Sequence, residues 1–223
     1  MDTSKKEQST WPSPLKHYSY KKIQQWGNSL TSAETKADLA LLRKFVGKSP
    51  EQVIEPWPVI LDGEEKDLQE ILNPLYVPKQ NKLSGLTPGE IALYYTFCLY
   101  AIHQRSRTDK SMFEANVSVG QALHQLAIER ARKNGSLSDE SEKIFKRLKA
   151  MAGKKELKAM IPDLRGLVAL LNEAKIPMDY AALAVDLLRL QSPKTKNQVL
   201  IRWINDFNRA KSVDEIQPSE EKK

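Results

Sequence analysis

From Ile91 to Ile102 the chain carries one clearly polar side chain, Thr96, and the residues just before it spell a helix start. Thr87 can cap a first-turn N–H, Pro88 suits the first helical position, and Glu90 can bond back to the cap. A helix apolar on nearly every face leaves none for water, so this one is predicted to be a central spine surrounded by other helices. The run stops at His103-Gln104-Arg105-Ser106-Arg107. That is well short of the ~20 apolar residues that cross a bilayer, so the spine is read as soluble core with no membrane role.

Upstream, the first helix is predicted from Ser19 to about Gly27. Ser32 with Leu39, Leu42 and Val46 at helical spacing marks a second that closes at Gly47, before Pro50. Pro56, Pro58, Pro74 and Pro78 cut the next region into short pieces, with Gln69 to Leu72 as a helical turn, Trp57 packing beneath and Asp62-Gly63-Glu64-Glu65 as a turn. After the spine, Thr108 to Asn116 lacks periodicity and reads as a connection. Helices then follow over Ser118 to Asn134, Ser138 to Ala152, Pro162 to Lys175, Tyr180 to Leu190 capped by Asp179, and Lys196 to Lys211, with Gly and Pro between them. No stretch alternates long enough to argue a strand. The predicted fold is all-α, two packed helical bundles. They are assigned to residues 17–110 and 111–211, with a flexible N-terminal arm over 1–16, anchored by Trp11, and a disordered tail over 212–223.

The 223 residues, 40% of them hydrophobic, suffice for bundles with real cores. One cysteine, Cys98, sits mid-spine, so no intrachain disulfide can form and a reducing compartment, the cytoplasm, is expected. Met1 to Thr10 has no apolar run and predicts neither signal peptide nor membrane anchor. Net charge is +7 and unevenly spread. Glu51 to Asn73 holds seven acids and one lysine, Arg130 to Lys158 ten bases and four acids, and Arg189 to Lys211 six bases and one acid. Charge alone admits two readings, a polyanion-binding surface or a solvated one.

Catalysis needs titratable groups that converge, and this chain shows few. His17, His103 and His124 lack metal-ligand spacing, and Cys98 has no cation within a turn to activate it. Asp62, Glu64 and Glu65 form an acidic turn of the kind that is usually solvated, and there is no glycine-rich phosphate loop. The expectation is a protein that is no enzyme and takes no cofactor or metal. The basic helices carry more information. At 100° per residue Lys143, Lys146, Arg147 and Lys154 share one stripe, apart from Ile144, Leu148 and Met151. In the last helix Val199, Leu200, Trp203 and Phe207 make an apolar face, and Gln198, Arg202, Asn205 and Arg209 line the opposite one. Ridges of long donors suit phosphate oxygens and need read no bases.

Leu164-Arg165-Gly166-Leu167-Val168-Ala169-Leu170-Leu171, Ile176-Pro177-Met178-Asp179-Tyr180-Ala181, Asp186-Leu187-Leu188, Arg202-Trp203 and Asp206-Phe207 resemble the C-terminal half of the CasB family, the small subunit of the type I-E CRISPR surveillance complex, Cascade. Leu42-Arg43-Lys44 with Gly47 and Pro50, Ala101-Ile102-His103-Gln104-Arg105, and Gly120 with Leu123 and Leu126 resemble its N-terminal pieces in the same order. The resemblance covers roughly Leu39 to Ala210. It implies a two-bundle, non-catalytic protein, present with a second copy of itself among the other Cascade subunits. Its basic surfaces would support CRISPR RNA and target DNA and hold the displaced strand. Carried onto this sequence, those roles fall on Arg43, Lys44, Arg105, Arg107, Arg202 and Arg209, with Lys194 and Lys196. Two readings of other classes stay open: a helical protein-interaction scaffold, and a helix-turn-helix regulator built on the Gly135 turn.

Overall fold

The computed structural model describes residues 14–63 and 85–214, with side chains described as far as residue 209. Nine α-helices lie within these residues: α1 (Pro14–Asn28), α2 (Ala33–Phe45), α3 (Trp57–Ile60), α4 (Pro88–His103), α5 (Val119–Asn134), α6 (Leu137–Ala152), α7 (Leu157–Ala174), α8 (Tyr180–Leu190) and α9 (Pro193–Asp214). The fold is all-α. Among the described residues no strand forms, and one isolated bridge pairs Phe113 with Met178. The predicted turn over Gln69 to Leu72, the Trp11 anchor and residues Glu64 and Glu65 lie outside the described residues.

The spine is α4, and its capping box forms as its sequence requires. Thr87 Oγ1 accepts from Glu90 N at 3.2 Å, and Glu90 Oε2 accepts from Thr87 N at 2.6 Å. Thr96, mid-helix in the core, donates back to the Ala92 carbonyl at 2.7 Å, which allows a hydroxyl there without an orphaned donor. α1, α2 and α3 pack on it from the N-terminal half, α7 and α8 from the C-terminal half. Trp26 of α1 meets the Phe97 ring edge-on at 5.1 Å, and Tyr100 meets Tyr180 of α8 at 5.2 Å. One hydrophobic cluster runs from Leu15 to Phe207 through both halves. We therefore propose the 110/111 boundary as dividing the chain into two bundles that share a core.

Beyond the spine, α5 lies against α9 at a glycine. A Cβ on Gly120 would sit 2.2 Å from the Trp203 carbonyl oxygen, so only glycine allows this approach. The connection after α4 is pinned by backbone bonds rather than left loose: Glu114 N donates to Met178 O at 3.1 Å and Asp179 N to Val117 O at 2.8 Å. Asp179 then caps α8, accepting from Ala182 N at 2.8 Å.

Several boundaries differ from those predicted. α1 begins at Pro14, not Ser19, so residues 14–16 belong to a helix and not to an arm. The reason is a stripe hidden among polar letters: Leu15, Tyr18, Lys22 and Trp26 are all buried on one face. Ser136, accepting from Asp139 N, starts α6 one residue earlier than expected. α7 begins at Leu157 with Pro162 inside it. Proline lacks the N–H that would bond the carbonyl of residue 158, but Pro162 is exposed, so that carbonyl stays available to solvent. The last helix starts at Pro193, a first-turn residue rather than a break, and runs through Asp214, so residues 212–214 are helical and not tail.

Candidate nucleic-acid interface

The basic stripe of α6 is largely committed to carboxylates. Lys143 Nζ lies 2.7 Å from Glu140 Oε1, and Lys146 Nζ lies 2.8 Å from Glu142 Oε1. Glu140 is itself a buried hub, 1% exposed, and also receives Arg130 Nε at 2.8 Å and Asn134 Nδ2 at 3.0 Å. Lys143 first, then Asn134 and Arg130, hold its carboxyl down at about 2 against the opposing effect of burial. Lys154 leaves the stripe because Gly153 caps α6, and it pairs with Asp163 at 2.7 Å. Arg147 is exposed and has no carboxylate partner among the described residues.

On α9 the predicted apolar face is buried, with Val199, Leu200, Trp203 and Phe207 all in the core. The outer face is less open than the wheel implies. Arg202 pairs with Asp186 of α8, and the Trp203 indole N–H donates to the other Asp186 oxygen at 2.7 Å. Burial pushes the Asp186 carboxyl upward, while Arg202 and Trp203 pull it down. Arg202 is thus a clasp between α8 and α9. Lys196 donates to the Lys154 carbonyl, tying the start of α9 to the end of α6. Lys194 and Arg209 are exposed on α9.

The N-terminal cations sit differently. Arg43, on the last turns of α2, reaches the Ala101 carbonyl at the end of α4, at 3.5 Å. Burial lowers its pKa first and the neighbouring Arg105 lowers it further, so two guanidinium groups share one locality. Lys44 and Arg105 are exposed with no acidic partner among the described residues. Arg107 is a fastener: it donates to the Asn172 carbonyl at 2.8 Å, while the Asn172 amide donates to the Arg105 carbonyl at 3.1 Å. Together these bonds fix the turn after α4 to the end of α7.

Three further cations, which the sequence pattern did not single out as a site, complete this side. A cleft of about 490 Å³ opens between the end of α2 and the face of α7, with Lys48, Lys158 and Arg165 among its lining residues and Tyr95 of the spine reaching it from below. The turn after α2 is held by Tyr94, whose hydroxyl donates to the Phe45 carbonyl at 2.8 Å and the Lys48 carbonyl at 3.2 Å. A Cβ on Gly47 would lie 3.5 Å from an Arg165 guanidinium nitrogen, so turn and α7 meet there. None of the three cations is ion-paired among the described residues, although Glu55 feels the charge of Lys48 at longer range. The signal was present: a helix begun at Leu157 puts Lys158, Pro162, Arg165 and Ala169 on one face, and a start at Pro162 discards the first of them.

Among the described residues no group of three or more His, Cys, Asp and Glu side chains could hold a metal, and no helix is long and apolar enough to cross a membrane. Cys98 is buried, with its thiol pushed well above the usual range by burial. A chain matching this one by structure is that of the crystal structure of CasB from Thermobifida fusca: 26% identity, 87% of this chain and 97% of that one covered, TM-score 0.68. A chain of a CRISPR RNA-guided surveillance complex matches with 21% identity, 90% and 98% coverage and TM-score 0.59. A CRISPR-associated protein of the Cse2 family from Thermus thermophilus matches with 20% identity, 88% and 99% coverage and TM-score 0.54. No curated protein matches the chain by sequence. The family model for CRISPR-associated protein Cse2 matches residues 38–207, from α2 to the last buried turn of α9, and the chain therefore belongs to the Cse2 family.

Proposed function

We propose that this protein is the non-catalytic small subunit of a type I-E CRISPR surveillance complex, Cascade. It would assemble there with the other subunits and a second copy of itself, and bind nucleic acid through phosphates without reading sequence. The strands concerned are the CRISPR RNA, the target DNA and the strand displaced from it. Membership of the Cse2 family and the likeness to a chain of an RNA-guided surveillance complex support the assembly. The observation that carries the binding surface is the gathering of cations without acidic partners on the α2 and α7 side. Arg43 and Arg105 repel one another there beside Lys44, with Lys48, Lys158 and Arg165 following along the cleft. Like charges held together in a fold lower their mutual energy when an anion lies between them, and a polyphosphate strand supplies one anion after another. Lys194 and Arg147 form a second, sparser set, with Arg209 exposed on the same helix as Lys194, and Lys143, Lys146, Lys196 and Arg202 reach phosphate only from positions that carboxylates or carbonyls already hold.

A native-mass measurement of the complex assembled with guide RNA tests the assembly: this chain should be retained in two copies. In the same complex Lys44→Ala with Arg105→Ala should leave the mass unchanged and weaken binding of a target duplex. A complex of full activity that forms without this chain would remove the proposal.

A further inference from the structure

The cleft between α2 and α7 is deeper and less polar than a track for phosphates requires. Neutralising a strand takes charge at the surface, and a cavity adds nothing to it. Yet about 490 Å³ lies open here, inside the ~300–1,000 Å³ range typical of sites for small organic groups. Its walls are mixed. Val46, Tyr95, Ile161 and Ala169 give an apolar base, Pro162 an exposed apolar rim, and Lys48, Lys158 and Arg165 the charge.

The face of α7 that lines the cleft is itself left open. Gly166 stands on the cleft face of α7, where a Cβ would meet nothing within 4 Å. Glycine weakens a helix interior, and at this position no close approach by another part of the described chain requires it.

Taking the phosphate-binding reading above as its basis, the geometry points to the α2–α7 cleft as a seat for one unstacked nucleotide of a single strand. The base lies against Pro162, Ile161 and Ala169 over Gly166, and its phosphate meets Lys158, Arg165 and Lys48. Any base presents an apolar face, so the seat requires no sequence preference. A duplex, whose bases are stacked, cannot use it.

The test is fluorescence anisotropy with the full chain and two labelled strands of equal length, one of intact thymidine nucleotides and one abasic at every position. The intact strand should bind roughly tenfold more tightly, since base contacts of this kind contribute about that factor. Gly166→Trp fills the cleft without removing a charge. It should bring the intact strand down to the affinity of the abasic one while leaving the salt dependence of both unchanged. Gly166→Ala, which only adds a methyl into open space, should keep the helical circular dichroism of the natural chain and shows that the helix tolerates substitution there. Equal affinity for both strands, with salt dependence intact, overturns the seat and leaves the phosphate surface standing. Absence of salt-dependent binding to either strand removes both. Full discrimination by Gly166→Trp also overturns the seat.

Discussion

Two regions of this protein rank one way in basicity as strings of letters and the other way as structures. On α6 and α9 the cations are largely engaged: Lys143 and Lys146 with glutamates one turn back, Arg202 with Asp186, and Lys196 with a carbonyl. Around α2 and α7, Lys44, Lys48, Arg105, Lys158 and Arg165 lie exposed with no ion-pair partner among the described residues. Net charge per stretch therefore ranks the regions in the wrong order for phosphate binding. What matters is whether a carboxylate stands one helical turn away or on the facing helix, because an engaged cation must exchange one anion for another.

The widest way to break the comparison is to remove the wall that α2 and α7 lean on. Phe97 is fully buried between Tyr18 and Trp26. Phe97→Asp leaves an unpaired carboxylate in the core and should cost about 4 kcal/mol or more. Circular dichroism should show the melting midpoint collapsing, and an unchanged midpoint would mean that α4 does not lie at the centre.

A second way acts through pH on the turn that presents Arg105. His103 is buried against Tyr180, its Nδ1 2.8 Å from the tyrosine oxygen, and burial pushes its pKa down to about 4. A histidine depressed from its usual ~6.5 contributes stability that is fully present above 6.5 and is lost as pH falls from there toward 4. The loss should approach roughly 3 kcal/mol. Melting followed from pH 7 to pH 4 should show this decline, and His103→Gln should flatten it. Glu140 adds a fall of the same sign at lower pH, between its usual ~4.5 and about 2. A midpoint that stays level from pH 7 to pH 4 would contradict the burial of His103.

Asp186→Ala sharpens the contrast directly. It strips the acceptor from Arg202 and from the buried Trp203 indole, which should cost about 2–3 kcal/mol, while freeing Arg202 for phosphate. Stability should therefore fall as single-strand affinity holds or rises, read by melting and by anisotropy on one sample. A fall in both would show that Arg202 already serves nucleic acid through its clasped position. The smallest effect is at Gly166, where Ala should add about 0.5–1 kcal/mol and raise the midpoint by about 1–4 °C, because the new Cβ meets nothing.

Much of the fold was legible because its signals are local. The box at Thr87 and the cap at Asp179 each lie within four residues of what they bind, and both form. The apolar run from Ile91 to Ile102 needed no partner to be named to be read as core. The site was less legible, since its parts meet only in space. Lys48 and Arg165 are more than a hundred residues apart, and the Asp186 that occupies Arg202 lies sixteen residues back on another helix. Two of the differences have a signal in the letters. Glu140 precedes Lys143 by three residues, a spacing that places the two together on a helix and removes Lys143 from an open stripe, and proline survives on an exposed helix face, so Pro162 need not start α7 and Lys158 joins the cleft.

The cations that release counterions when a strand binds are those that meet its phosphates, and the salt dependence of single-strand affinity identifies them. Each phosphate contact contributes about −0.7 to the slope of log affinity against log salt. Lys158→Ala with Arg165→Ala should flatten the slope by roughly 1.4, whereas Lys143→Ala with Arg202→Ala, at positions already held by Glu140 and Asp186, should leave it close to that of the natural chain. The reverse pattern, a flattened slope for the second pair and an unchanged one for the first, would contradict the claim that the strand lies on α2 and α7.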